Sequence, residues 1–425
     1  MRRALLAFLL LSCASSPTTT TAAAPALVSS PKSAASGEVI DLQTIRAVAD
    51  VSSAAAVTDA RGRAFIVGSI DKRLSDAYVL ALDAKHEPLW TKHFGGRGVD
   101  EGDDVAVDAT GVYVSGVFAS PSIDLGGGPL ANAGGRDLFL AKYDFDGKLL
   151  WAKRYGDALD QGSMRLRAHP DGGVIATGWF DGTLDFGSGP VRGVDARASY
   201  VARIDGSGRA LWARAFGHRF DFAETDAVID ARGHVFVSGG SDGTSELVPG
   251  GGPRDHYDLG PVLLELDDHG VIVSTKRFGG GANNMTTALA LAPDGSLRFA
   301  AATLGAVDFG DGLQPAPGHV DVHVARFDAA GTLAWRAQPF GGLLARVEAL
   351  AVDARGDTIV VGEILRANAS RGIAVALSPS GTIRWTYELA GGIRSSLQRV
   401  SFDARGRVVL VGMRDDAIVF VTLAP

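Results

Sequence analysis

The sequence predicts an all-β chain folded as a seven-bladed β-propeller of four-stranded antiparallel blades, closed by an N-terminal strand that completes the last blade. Three observations predict it: a four-residue turn recurs seven times, a second turn followed by a tryptophan position recurs six times, and one strand-like segment near the N-terminus is left over. The 425 residues include 55 glycines, with 46% apolar and 8% aromatic residues. That composition suits a large core interrupted by many tight turns and favours short strands over long helices.

The first turn occurs as Asp59-Ala-Arg-Gly62, Asp108-Ala-Thr-Gly111, His169-Pro-Asp-Gly172, Asp230-Ala-Arg-Gly233, Ala292-Pro-Asp-Gly295, Asp353-Ala-Arg-Gly356 and Asp403-Ala-Arg-Gly406, with glycines 49, 61, 61, 62, 61 and 50 residues apart. Periods of this size mark repeats that cannot bury their faces alone and must stack on neighbours. Each copy follows a short apolar stretch such as Val105-Ala-Val107 and precedes a β-rich run such as Val112-Tyr-Val-Ser-Gly116, the pattern of a hairpin. The run closes on Gly68, Gly116, Gly178, Gly239, Gly362 and Gly412, with Ala301 in the fifth copy. A small residue is therefore required there for close strand packing rather than for a special backbone angle.

The second hairpin turns at Asp144-Phe-Asp-Gly147, Asp205-Gly-Ser-Gly208, Asp267-Asp-His-Gly270, Asp328-Ala-Ala-Gly331 and Ser378-Pro-Ser-Gly381, with a looser form at Asp83-Ala-Lys-His-Glu87. Its leading strand is apolar on both faces, as in Asp137-Leu-Phe-Leu-Ala-Lys-Tyr143, which is expected where sheets cover a strand from either side. The trailing strand carries Trp90, Trp151, Trp212, Trp335 and Trp385, with Ser274 in that place in the fourth unit. One such Trp per unit, at equivalent sites, is expected to pack between blades.

After Gly406 the chain supplies only strands near Val408 and Ile418, so the seventh sheet is one strand short. Glu38 to Arg46 can supply it. Pairing first strand with last sheet closes a ring and protects the strand edges, which a capped solenoid does not need.

The N-terminus carries Arg2 and Arg3 ahead of the apolar stretch Ala4 to Leu11, the pattern of an export signal too short to span a bilayer. Leu10-Leu11-Ser12-Cys13 resembles the bacterial lipobox, and Cys13 is the only cysteine in the chain. The expected organisation is a lipoprotein signal peptide at 1–12, the lipidated Cys13 with an Ala/Ser/Thr/Pro-rich tether at 13–37, and the propeller at 38–425. As a flexible coil the tether would average roughly 25–30 Å end to end. Ala14 after the cysteine, in place of the Asp that retains lipoproteins at the inner membrane, points to the outer membrane. A formal net charge of −7 and the lack of a basic run exclude nucleic acid as a partner.

Residues 137–156 and the loop Ile123-Asp-Leu-Gly-Gly-Gly-Pro-Leu130, with similar loops at Leu184-Asp-Phe-Gly-Ser-Gly-Pro-Val191 and Val307-Asp-Phe-Gly-Asp-Gly-Leu313, resemble the bacterial seven-bladed propeller repeat of lipoproteins and cell-surface proteins. The resemblance spans residues 54 to 423. It implies a binding or scaffold class, brings no catalytic motif, and implies the multiple acyl chains that would make the anchor stable.

Blades two to five carry about 11 extra residues in the loop between second and third strands, on the face opposite the short Asp-Ala-Arg-Gly turns. Binding residues usually ride on the longer loops of a rigid scaffold, so Asp124, Asp185, Asp308 and Gly251 are the candidate binding-face positions, near the central channel. His319, Asp321 and His323 have metal-like spacing, but Asp321 aligns with Asp76 and Asp137, which open third strands without a histidine, and no resident metal or other cofactor is expected. The acidic run Asp100-Glu101-Gly-Asp103-Asp104 is expected as a solvated connection between blades one and two. No nucleophile elbow is present. The expectation is a monomeric, lipid-anchored envelope scaffold that binds a protein or glycan through one propeller face and touches the membrane through its anchor only. The alternatives are an outer-membrane assembly scaffold and, further off, a polysaccharide-acting or quinone-dependent propeller enzyme.

Overall fold

A computed structural model describes residues 38–45, 51–70, 75–216, 220–221, 226–242, 259–278, 283–314, 320–340, 345–366, 369–403, 405–415 and 417–424. The chain divides into units Met1–Ala34 and Ala35–Pro425, and the described residues all belong to the second. Cys13, Gly251 and His319 lie outside them, as do the signal and the tether.

Every regular element among the described residues is a strand, and the strands form seven blades and one small hairpin, Ser122–Asp124 with Pro129–Ala131, in the long loop of blade two. Blade one is Val51–Thr58, Ala64–Ile70, Asp76–Leu82 and Pro88–Phe94; blade two is Asp100–Asp108, Gly111–Phe118, Asp137–Tyr143 and Leu149–Tyr155. Blade three is Gln161–Ala168, Val174–Asp185, Pro190–Ile204 and Ala210–Phe216. In blade four a split first strand, Phe220–Asp221 and Ala227–Ile229, pairs with Val235–Asp242, followed by Leu259–Leu266 and Ile272–Arg277. Blade five is Asn283–Leu291, Leu297–Leu304, Asp321–Phe327 and Leu333–Ala337; blade six is Ala345–Val352, Thr358–Arg366, Ala369–Leu377 and Ile383–Glu388. Blade seven takes Ser395–Phe402, Val408–Arg414 and Ala417–Leu423 from the C-terminus and Val39–Ile45 from the N-terminus. First strands of successive blades touch all the way round, the seventh meeting the first, so the ring is closed.

The terminal strand repeats the internal pattern in detail. In every other blade the outer strand skips one residue just before its last pair, as between Trp90 opposite Ala81 and Pro88 opposite Leu82. Val39–Ile45 does the same, with Asp41 opposite Thr422 and Val39 opposite Leu423, and Ala424 adds a hydrogen bond from its N–H to the Glu38 carbonyl at 2.9 Å. Asp41 thus holds the place that Trp90 holds in blade one.

Third strands are buried along their length, Asp137–Tyr143 at all seven positions, because a neighbouring sheet covers each face. The closing glycines have a physical cause in bulges. In blades two, six and seven the first strand carries an extra residue, Asp103, Glu348 or Gln398, beside Gly116, Gly362 or Gly412. A Cβ on any of these glycines would collide with the carbonyl of Glu101, Arg346 or Ser396 on the bulged strand, although none of the three needs a positive φ. In blade five the skip lies two pairs further along, between Asn284 and Thr286, and there Ala301 fits.

Asp100 to Asp104 differ from the expectation of a solvated loop. They open the first strand of blade two, with Asp100 fully buried and Asp104 nearly so. Their carboxylates satisfy backbone donors that the sheets leave over. Asp100 accepts from the N–H groups of Gly96, Ala119 and Ser120 and from the Ser120 hydroxyl. Asp103 accepts from the Met164 N–H at 3.0 Å, and Asp104 from the Leu166 N–H at 2.9 Å, both on the next blade. Unpaired donors inside a protein are costly, so these carboxylates were recruited inward rather than left in water.

Candidate functional site

Adjacent blades are joined at their outer strands by a repeated latch. The indole N–H groups of Trp90, Trp151, Trp212 and Trp335 donate to the carbonyls of Phe145, Gly206, Asp268 and Pro379, at 3.0, 3.1, 2.8 and 2.7 Å. Each acceptor is the second residue of the next blade's outer turn. The ring lies under that turn's glycine, so a Cβ at Gly147, Gly208, Gly270 or Gly381 would come within 2.9, 3.0, 2.6 or 2.8 Å of it. Two residues beyond the tryptophan a cation reaches the glycine carbonyl: Lys153 to Gly208 at 2.6 Å and Arg214 to Gly270 at 2.9 Å.

Blades seven and one are joined differently. Because Asp41 replaces the tryptophan, nothing crowds the turn of blade one, and His86 occupies its glycine position with φ 64°. The turn read from sequence as looser is the same one, closed by the His86 N–H to the Asp83 carbonyl at 2.9 Å. The His86 ring stacks on Phe420 with centroids 4.3 Å apart, and its Nδ1 lies 2.6 Å from Oε1 of Gln43. At the opposite side of this seam, blade seven has no outer turn. Trp385 accordingly has no carbonyl to donate to among the described residues and only packs on the core between blades six and seven.

Between blades four and five the latch lacks its ring. Ser274 stands in the tryptophan place, is exposed, and donates its hydroxyl to Glu265 of its own blade at 2.9 Å. Lys276 still hydrogen-bonds to the Gly331 carbonyl, and Gly331 keeps φ 78°, but no indole lies under it. A cavity of about 880 Å³ runs along this interface. Lys276, Arg277 and Phe278 of blade four form one side; Gly331, Leu333, Trp335 and Arg336 form the other, and the loop Asp308–Leu313 closes one end. Its walls combine buried rings, Phe278, Phe309 and Phe327, with an apolar Leu313 side chain that is 62% exposed. Arg336 is held by Asp311 at 3.1 Å and by Nδ1 of His323 at the same distance, so its cation is fixed in the wall.

Of the residues singled out from sequence, Asp308 borders this groove, with Oδ1 accepting from the Gly310 and Gly312 N–H groups at 2.7 and 3.1 Å. Asp124 and Asp185 make the same turn in blades two and three, accepting from Gly126 and Gly128 and from Gly187. In each loop the next residue, Leu125, Phe186 or Phe309, is buried; Phe186 packs 4.8 Å from Tyr155, at the end of the preceding blade's outer strand. Asp321 accepts from the Val322 N–H and from Gln338, which uses both of its oxygens. His323 is buried, which holds its imidazole below the ordinary histidine range, and the facing Arg336 guanidinium requires Nδ1 to be an acceptor. A cation beside that nitrogen disfavours a metal there. Among the described residues no group of three or more His, Cys, Asp or Glu side chains is disposed to hold a metal ion. The groove lies at the outer strands rather than at the channel where the long loops had placed recognition. Its one legible signal was Ser274 breaking the tryptophan series.

The channel is crossed by ion pairs. Arg167 of blade three bridges Asp104 at 3.4 Å and Asp226, and Arg399 of blade seven reaches Asp104 at 3.4 Å. Asp226 accepts from the Leu289 N–H at 2.9 Å, repeating on blades four and five the staple that Asp104 makes on two and three. The buried Asp104 and Asp226 are thus satisfied by backbone donors and by the half-buried Arg167 and Arg399.

No protein-family model and no curated protein matches the chain. Among solved structures it is similar to the N-terminal BBS1 domain crystallised in complex with ARL6DN, with 9% identity and a TM-score of 0.51 over 92% of this chain and 97% of that one. It is also similar to the Pan2 WD40 domain of Neurospora crassa, with 11% identity and a TM-score of 0.48 over 89% and 90% of the two chains. A third similar structure is the β-propeller domain of the Trilobed protease of Pyrococcus furiosus, at 9%, 0.48, 88% and 95%. Likeness at such identity is a likeness of fold.

Proposed function

We propose that the chain is a lipid-anchored binding scaffold of the bacterial cell envelope, held to the outer membrane through Cys13 and offering the groove between blades four and five to a protein or glycan. The observation that carries the reading is the groove itself: on a closed ring with four outer seams latched by tryptophan, it leaves polar, cationic and aromatic groups together along a seam that has no such latch. A rigid ring with one open seam suits binding, because its walls need no ordering when a ligand arrives. The lipobox, the tether and the resemblance of the repeats to those of bacterial propeller lipoproteins support the compartment.

The test is affinity capture of the full chain from crosslinked envelopes, beside a Cys13→Ser form and a groove double variant at two exposed lining positions, Leu313→Asp with Ala334→Glu. The native chain is expected to incorporate labelled palmitate, to sediment with the outer membrane and to recover a recurrent partner. Cys13→Ser should leave the membrane fraction, and the groove variant should lose the partner while keeping its melting temperature. Capture by native and groove-variant protein alike would exclude the groove, and an unlabelled, soluble native chain would end the envelope assignment.

A further inference from the structure

The groove adjoins a site that repeats several parts of a receptor occupied elsewhere in the same molecule, and shares Lys276, Phe327 and Gly331 with it. Four outer turns receive an indole: a turn carbonyl accepts its N–H, a positive-φ glycine leaves room for its ring, and at two of them a cation from the strand below binds the glycine carbonyl. The turn Asp328–Gly331 keeps these parts. Gly331 has φ 78°, Lys276 binds its carbonyl, and the Ala329 carbonyl, equivalent to Phe145, Gly206, Asp268 and Pro379, accepts no hydrogen bond among the described residues. Ser274 supplies no ring, and the Lys276 ammonium lies in its stead under the turn, where a Cβ on Gly331 would come within 3.0 Å of Nζ, so an incoming ring takes the place by moving that flexible side chain onto its face. From this we infer that the socket between blades four and five takes a tryptophan side chain presented by a protein partner, with its indole N–H directed to the Ala329 carbonyl and its ring under Gly331.

The chemistry favours an indole over other occupants. Lys276 can lie over the face of an incoming ring as a cation–π partner; it already lies 5.4 Å from the Phe327 centroid. Phe278, Phe309 and Phe327 supply the apolar wall an aromatic anchor needs, and the Arg336–Asp311 pair gives the socket a polar rim. The inference rests on the groove being the binding site, and it adds which side chain enters.

The probe is N-acetyl-5-fluorotryptophanamide, followed by fluorine line broadening against the full chain, with the phenylalanine analogue and a neutral oligosaccharide as competitors. Broadening is expected with the native chain, and the phenylalanine analogue should compete at least about ten-fold less well because it cannot donate to Ala329. In Ser274→Trp the chain's own ring should refill the socket, abolishing the broadening and raising the melting temperature. Gly331→Val, which crowds the socket without filling it, is the second variant and should also lose the probe. Equal broadening in native and Ser274→Trp protein, or oligosaccharide binding that Ser274→Trp blocks without any indole binding, would overturn the inference. If Ser274→Trp keeps the partner captured from envelopes yet loses the probe, the tryptophan socket fails as the partner's site while the scaffold reading stands.

Discussion

Single residues in this fold are constrained by where the first strands bulge and by which carboxylates those bulges bury. Gly116 faces the carbonyl of Glu101 and lies against the Phe139 ring, so Gly116→Ala must push apart two paired strands. A loss of about 2–3 kcal/mol is expected by urea unfolding. Ala301→Gly, at the equivalent site without the adjacent bulge, should cost only about 0.5–1 kcal/mol through added chain entropy. Equal costs at the two sites would remove the bulge as the cause. Asp103 offers a pH test. Burial raises its carboxyl to about 7, against the pull of the Met164 N–H and Arg165, with Glu101 and Asp104 adding to the rise. An unfolded Asp titrates near 4, so at intermediate pH the folded chain holds a proton that the unfolded chain has released, and stability falls as pH rises through that window and levels off above it. Asp103→Asn keeps an oxygen for the Met164 N–H and removes the ionisation. Its melting temperature should match the native chain near pH 4 and exceed it by roughly 1–3 °C near pH 8. Parallel curves across that range would show that Asp103 does not titrate there.

At the scale of elements, the latch divides the tryptophans into those with a turn to hold and one without. Trp151 lies under Gly208 and donates to Gly206, so Trp151→Ala loses ring packing and a hydrogen bond, an expected roughly 3–5 kcal/mol. Trp385→Ala loses packing alone, because blade seven's outer strand arrives from the N-terminus and brings no turn; its cost should be smaller by about 1–2 kcal/mol. Matching unfolding midpoints for the two variants would count against the latch. The elements themselves were legible because turn glycines and tryptophans recur with the blade, and the closing segment was legible because one strand was left over. The groove was not. Loop length drew attention to Asp124, Asp185 and Asp308, but short-range pattern does not reveal that a side chain caps its own turn or that Leu125 and Phe186 fold inward behind it. Ser274 was visible as an exception in the series; what it opens depends on Lys276 and a turn some 55 residues further on, a contact between blades that no local spacing encodes.

For the whole molecule, stability depends on two distant stretches of chain meeting in one sheet. All seven positions of Ala417–Leu423 are buried, and Val39–Ile45 covers the backbone edge of that strand while Gln43 and Phe420 hold His86 across the seam to blade one. Removing residues 38–45 would leave a long, flat apolar strand with its hydrogen-bonding edge in water and would also take the Gln43 oxygen from His86. Such an edge recruits other chains. The truncated chain should therefore elute as oligomers in size-exclusion chromatography and melt well below the intact chain, and a synthetic peptide of residues 38–46 added in excess should restore both properties, since the missing strand is bound by backbone pairing that needs no covalent link. A peptide carrying Pro in place of Leu42 is the control, because Pro lacks the N–H and fits poorly inside a paired strand. Rescue by the native peptide and not by this one would tie closure to the register in which Leu42 faces Val421. A truncated chain that stays monomeric with an unchanged melting temperature would mean that six complete blades hold the ring without the seam.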